Sequence, residues 1–214
     1  FTIFLSGARA GEREDAIEQI GNALVLVRQI CVFNVDLKTS NGSRTIIAET
    51  TGGIGTGFFI QKPTTKPNYF NILSAGHVVD CSARWYTKRL EDVVPYGINA
   101  LELKSAAVKT EIKYKNIWYP AIVENLKFDN TYLDYALLLT TELPASAVPH
   151  LIPYGLKRGE YKVGSRVFFR GFMGVGAESE FNGASDGMMV MLDDASIQFM
   201  GNNFFRISLI ACKG

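Results

Sequence analysis

The chain predicts an all-β fold, an antiparallel barrel or sandwich arranged as two units. Three observations point there. Short apolar runs rich in β-branched and aromatic residues recur at hairpin spacing, turn formers separate several of them, and only one stretch has helical periodicity.

Taken in order, the first ten residues, FTIFLSGARA, hold a short apolar run that no basic residue precedes. They do not read as a signal peptide. GEREDAIEQIGNAL is the helix. Acidic side chains crowd its start, where the helix dipole favours them, and Ala16, Ile17, Ile20 and Leu24 share a face. After Gly21 and Asn22 come the strand-like runs VLVRQICVFNVDL, RTIIAET, GTGFFIQ, YFNILSAG, AAVKTEIKY, WYPAIVENL and YALLLT. The groups TSNGS and KPTTKPN act as turns between some of them. TELPASAVPHLIPYG carries three prolines with no clear period and reads as a linker. SRVFFRGFM, GMMVMLD, ASIQFM and NNFFRISLIA follow as further strands. The expected organisation is an N-terminal helical extension over 1–24, a first β unit over 25–141, a linker over 142–160 and a second β unit over 161–214.

Composition narrows the function classes. Of 214 residues, 47% are apolar and 20% charged, values suited to a protein with a real core. The formal net charge of +1 exerts no overall pull toward nucleic acid or an anionic membrane. No apolar run reaches the ~18 residues of a membrane-spanning helix. Cys31, Cys81 and Cys212 cannot all pair within one chain and lack the CxxC spacing of a zinc site. The expectation is free, buried thiols under reducing conditions. No metal, nucleotide or other cofactor motif is present, and there is no basic stripe for nucleic acid.

Two histidines are available for chemistry. His150 lies in the proline-rich stretch and reads as a surface residue. His77 ends the run NILSAGHVVDC, where Ser74, Ala75 and Gly76 let the backbone turn tightly and aim the imidazole into a cleft. A catalytic base needs that placement, because it must reach both a nucleophile and an orienting carboxylate. Asp134, in FDNTYLDYALLLT, stands at the entrance to a strongly apolar strand. A carboxylate there is costly unless it is hydrogen-bonded, and an imidazole is a natural partner. A buried structural histidine and a strand-cap aspartate are the plainer alternatives for each residue taken alone.

GTGFFI (residues 55–60), ILSAGHVV (72–79) and LDYALLL (133–139), in that order, resemble the trypsin-like serine proteases. The likeness is closest to the compact bacterial and viral branch of HtrA-like or glutamyl-endopeptidase type. KVGSRVFFRGFMGVG (162–176) is similar to the strand and turn that open the second barrel of that family, with Met173 where proline is usual. The resemblance implies two antiparallel β-barrels of trypsin-like type with an N-terminal helix, the second incomplete in this chain. It also implies a polypeptide substrate, with His77 as general base and Asp134 as its orienting partner.

The family then requires a nucleophilic serine. GASDG (183–187) lacks the glycine directly after Ser185 and lies early in the second unit, so it reads as a hairpin turn. FFRISLIACKG resembles the strand that leads into the nucleophile turn. On that alignment Gly214 supplies an oxyanion N–H, Ile210 and Ala211 border the substrate pocket, and the serine stands two positions beyond Gly214. With no carboxylate at 210–211, cleavage after Lys or Arg is disfavoured. The remaining strands would then come from a continuation of the chain or a separate C-terminal fragment. Cys212 is a poor rival nucleophile, since Lys213 separates it from the glycine. Two other expectations stand beside the peptidase. One is an inactive protease-like module that binds peptide or protein, and the other is an unrelated β-barrel structural protein.

Overall fold

A computed structural model describes residues 2–5, 10–39, 41–62, 64–81, 98–128, 134–147, 149–152, 163–164, 166–172, 189–200 and 205–207. The expected helix is present as α1 (Ala10–Ala23). Ile20 and Ala23 are buried on its inner side while Asp15, Glu18 and Gln19 face solvent. The chain passes directly from α1 into β2 (Leu24–Thr39), buried on both faces from Leu24 to Val27 and then alternating, with Cys31, Phe33 and Val35 buried and Asn34 exposed. A side chain of this size contributes about 1.5–3 kcal/mol when fully buried, so this one strand anchors the fold.

RTIIAET and GTGFFIQ, expected as separate strands, merge into one 19-residue strand, β3 (Gly42–Ile60). It pairs antiparallel with β2 throughout, except where the register shifts between Arg28 (opposite Ile54) and Ile30 (opposite Thr51). The additional residue on β3 falls in the Gly52–Gly53 region, and a bulge there bends the strand without ending it. Next are β4 (Asn71–Ser74), β5 (Ile98–Tyr114), β6 (Ile117–Phe128) and β7 (Asp134–Thr140). β5 and β6 are joined by Lys115 and Asn116, whose φ values of 47° and 65° are those of a type I′ hairpin turn.

These six strands close into an antiparallel barrel in the order β2-β3-β4-β7-β6-β5. Closure satisfies the backbone groups of strands that would otherwise be edges. Val27, Phe59, Ile72, Ile112 and Leu138 fill the interior, with Phe59 edge-to-face against both Phe70 and Tyr114. The proline-rich stretch expected as a linker lies partly on this barrel. Leu143, Ala147 and Ile152 are buried, and Ile152 bridges to Ile60 in parallel through two backbone hydrogen bonds of 2.7 and 2.9 Å. His150, within it, is exposed.

The expected second unit, an incomplete barrel, falls only in part on described residues. Its described strands, β8 (Arg166–Phe172), β9 (Met189–Met200) and β10 (Phe205–Ile207), form an open four-stranded sheet in the order β1-β8-β9-β10. The added strand, β1 (Thr2–Leu5), comes from the N-terminal segment and pairs antiparallel with β8. The extension over 1–24 therefore supplies a strand as well as a helix. No helix among the described residues is long and apolar enough to cross a membrane.

Candidate functional site

The site is built at the end of the first barrel where β4 stops. Ser74 closes that strand, its hydroxyl donating to the Thr56 carbonyl at 2.9 Å. Gly76–Val78 then form a single 3-10 turn held by Val78 N–H to Ala75 O and Val79 N–H to Gly76 O. Gly76 and Val78 point inward, which leaves His77 between them facing out.

Two glycines make this turn possible. A Cβ on Gly76 would sit 2.7 Å from the Lys127 carbonyl oxygen and 3.1 Å from that of Tyr135, with an Asp134 carboxylate oxygen at 3.2 Å. A Cβ on Gly53, at the β3 bulge, would sit 2.6 Å from the Val78 carbonyl oxygen. Only residues without a side chain let three backbone segments meet this closely. The tripeptide Ser74-Ala75-Gly76 therefore brings the chain against β6 and β7, and β7 begins at Asp134.

Asp134 holds His77 at two points. The His77 backbone N–H donates to Oδ1 at 2.8 Å, and Nδ1 of the ring meets Oδ2 at 2.7 Å. One carboxylate thus fixes both the main chain and the ring of the same residue, across 57 positions of sequence. With the carboxylate ionised, the proton lies on Nδ1 and the lone pair on Nε2, the tautomer that a general base requires. Both side chains stay open to solvent, His77 at 51% and Asp134 at 41% of full exposure, so the pair is accessible to a substrate. The Phe128 ring, opposite Asp134 in the β6–β7 pairing, lies edge-on to the imidazole at 6.3 Å between centroids.

The cysteine expectation is corrected here. Cys31 and Cys81 form a disulfide, with Cα atoms 5.9 Å apart. It ties the segment just after the His77 turn back to β2. The odd count concealed this, because three cysteines allow one pair and one remainder, and spacing does not say which. Disulfides persist in oxidising surroundings, opposite to the reducing conditions expected for free thiols. Phe128 and Gly53 were likewise not legible as site residues. The bulge glycine had a signal in the TGGIGTG run, whereas Phe128 is near His77 only through strand pairing.

A second charged cluster lies on the barrel wall. Glu111 of β5 accepts from Arg28 Nε at 2.8 Å and Nη2 at 2.6 Å, and from Lys109 Nζ at 2.6 Å. Its side chain is only 7% exposed. Burial pushes the Glu111 carboxyl up, but the Lys109 and Arg28 hydrogen bonds outweigh it and hold the group below its ordinary value. The Arg28 guanidinium rests on the Trp118 ring at 3.9 Å. Among the described residues no group of three or more His, Cys, Asp or Glu side chains is placed to hold a metal ion.

Gly214, Ile210, Ala211, Cys212 and Ser185 lie outside the described residues. No protein-family model matches the chain, and a search of curated proteins returns no match.

Proposed function

We propose that the chain is the His–Asp portion of a trypsin-like serine endopeptidase that hydrolyses polypeptide substrates. The observation that carries this reading is the double hydrogen bond from His77 to one carboxylate of Asp134. A structural ion pair needs only a side-chain contact. Here the carboxylate also takes up the histidine's own N–H, which sets the ring's position as well as its tautomer. In the reaction His77 Nε2 takes the proton from the attacking serine and returns it to the leaving amine. Asp134 stabilises the imidazolium between these steps. The serine belongs two positions after Gly214, whose N–H would bind the oxyanion, with Ile210 and Ala211 bordering the pocket for the residue before the scissile bond.

A serine-directed fluorophosphonate, applied to the full-length protein, tests the assignment. Covalent label on the serine following Gly214, lost in His77→Ala, is the expected result. A folded full-length protein that takes no label, or takes it on another serine, would falsify it.

One observation keeps a second reading in view. The two hydrogen bonds to Asp134 fix His77 whether or not a nucleophile stands beside it. A fold that retains the dyad without a nucleophile is a peptide- or protein-binding module. It is distinguished by a residue other than serine at the second position after Gly214.

A further inference from the structure

The tip of the β2–β3 hairpin carries the triplet Asn41-Gly42-Ser43, the single Asn-X-Ser/Thr sequence with X other than proline in the 214 residues. We infer that Asn41 is an N-glycosylation acceptor. Strand pairing runs out to Thr39 opposite Gly42, which places Asn41 in the turn at the far end of the hairpin. Every residue from Asn41 to Thr45 is exposed, and the backbone at Gly42 has open space around it, with nothing within 4 Å of a hypothetical Cβ. Because Asn41 is itself exposed, a bulky carbohydrate attached there would project from the end of the hairpin into solvent. Gly42 adopts a φ of 128°, open to glycine and strained for other residues, so the middle residue of the triplet also makes the turn.

The Cys31–Cys81 disulfide supplies the second, independent observation. Such a bond persists in oxidising compartments, and one of these, the secretory lumen, is also where asparagine is glycosylated. The donor is a lipid-diphosphate-linked oligosaccharide. Asn41 Nδ2 forms a bond to the anomeric carbon, the bond from that carbon to the diphosphate oxygen breaks, and the lipid diphosphate leaves. The amide loses one proton to the transferring enzyme's base.

The modification also answers a feature of the hairpin itself. Ile47, a few residues from the tip on β3, is 75% exposed, on the stretch where β2 lies between β3 and β5. Carbohydrate at Asn41 would shield this apolar stretch from association with other chains.

The test is secretion of the full chain from a eukaryotic cell, followed by intact-mass and gel analysis before and after peptide N-glycosidase. The expected result is a heterogeneous, slower-migrating species that collapses to the polypeptide mass. In heavy-oxygen water the glycosidase converts the glycosylated asparagine to an aspartate that carries the label. Asn41→Gln and Ser43→Ala each abolish the shift, and Ser43→Thr retains it, so loss of the shift does not depend on one variant's folding. Secreted, disulfide-bonded chain at the unmodified mass overturns the inference. So does a shift that survives Asn41→Gln. Conversion of Asn41 to aspartate without heavy oxygen also overturns it, because that marks spontaneous deamidation of the Asn-Gly pair. None of these outcomes depends on the peptidase reading.

Discussion

Two acid–base clusters in the same barrel have opposite designs. Around Glu111, one nearly buried carboxylate receives Arg28 and Lys109, and Arg28 is further held on Trp118. Around His77, one half-exposed carboxylate serves a single residue but holds both its backbone and its ring. The first arrangement offsets the desolvation of a charge with two cations, which suits a part of the wall that must not move. The second presents a ring nitrogen at the surface in a fixed orientation, where a reacting group can meet it. On the proposed reading, stability resides in the first cluster and chemistry in the second, so substitutions should separate the two.

The largest effect is expected at Asp134. If the full-length protein has the proposed peptidase activity, Asp134→Asn should lower kcat about ten-thousand-fold by favouring the wrong tautomer of His77. The melting temperature should change little, since both side chains are solvent-exposed. A comparable loss of stability would reduce Asp134 to a structural cap. Next comes the disulfide, which closes a separation of 50 residues. The double substitution Cys31→Ser/Cys81→Ser should cost about 2–5 kcal/mol in urea unfolding. It should also reduce activity in the fraction that stays folded, because Cys81 lies just after the His77 turn.

Gly76→Ala tests whether close approach positions the dyad. Its Cβ would meet the Lys127 carbonyl at 2.7 Å. A loss of about 1–3 kcal/mol is expected, with a fall in kcat larger than the folded fraction explains. A variant with full stability and full activity would show that the turn has room to shift. The smallest effect belongs to the wall. Glu111→Gln should cost about 1–2 kcal/mol, limited by the solvent exposure of Lys109, and leave kcat unchanged in folded protein.

The pH dependence of stability sharpens the same contrast. The folded Glu111 carboxyl lies below its ordinary value, so its contribution is fully present above the ordinary carboxylate range. It is lost as pH falls through the depressed folded value. Acid titration of chemical stability should therefore fall less steeply in Glu111→Gln than in the parent chain. An identical slope would place the acid sensitivity elsewhere.

How much of this was legible in advance depends on the range of the interaction. The helix was readable because acidic residues at its start and the spacing of Ala16, Ile17 and Ile20 are local facts, although Leu24, expected on the same face, begins β2. β2 was readable because its alternation needs no knowledge of what lies opposite. His77 and Asp134 stood out through their flanking residues, small on one side and apolar on the other. The merging of two expected strands into β3 was not readable, since glycines that look like a break are tolerated inside a bulge. The packing of Leu143, Ala147 and Ile152 onto the barrel was hidden by three prolines, which mark irregular backbone but not exposed backbone. The N-terminal strand was missed for a related reason: four residues carry too little period to distinguish a strand from an apolar tail.

By itself, the order of residues determined the β class and the helix near the N-terminus, and it singled out His77 and Asp134 as candidates for acid–base chemistry. These follow from side-chain period and backbone preference, which act over a few neighbouring positions. Only the tertiary structure decided that Asp134 reaches both the ring and the N–H of His77, and that Cys31 pairs with Cys81. It also decided that Gly76 and Gly53 must lack side chains. Each of these depends on strand register around a closed barrel, where closure brings residues tens of positions apart within a few ångströms of one another.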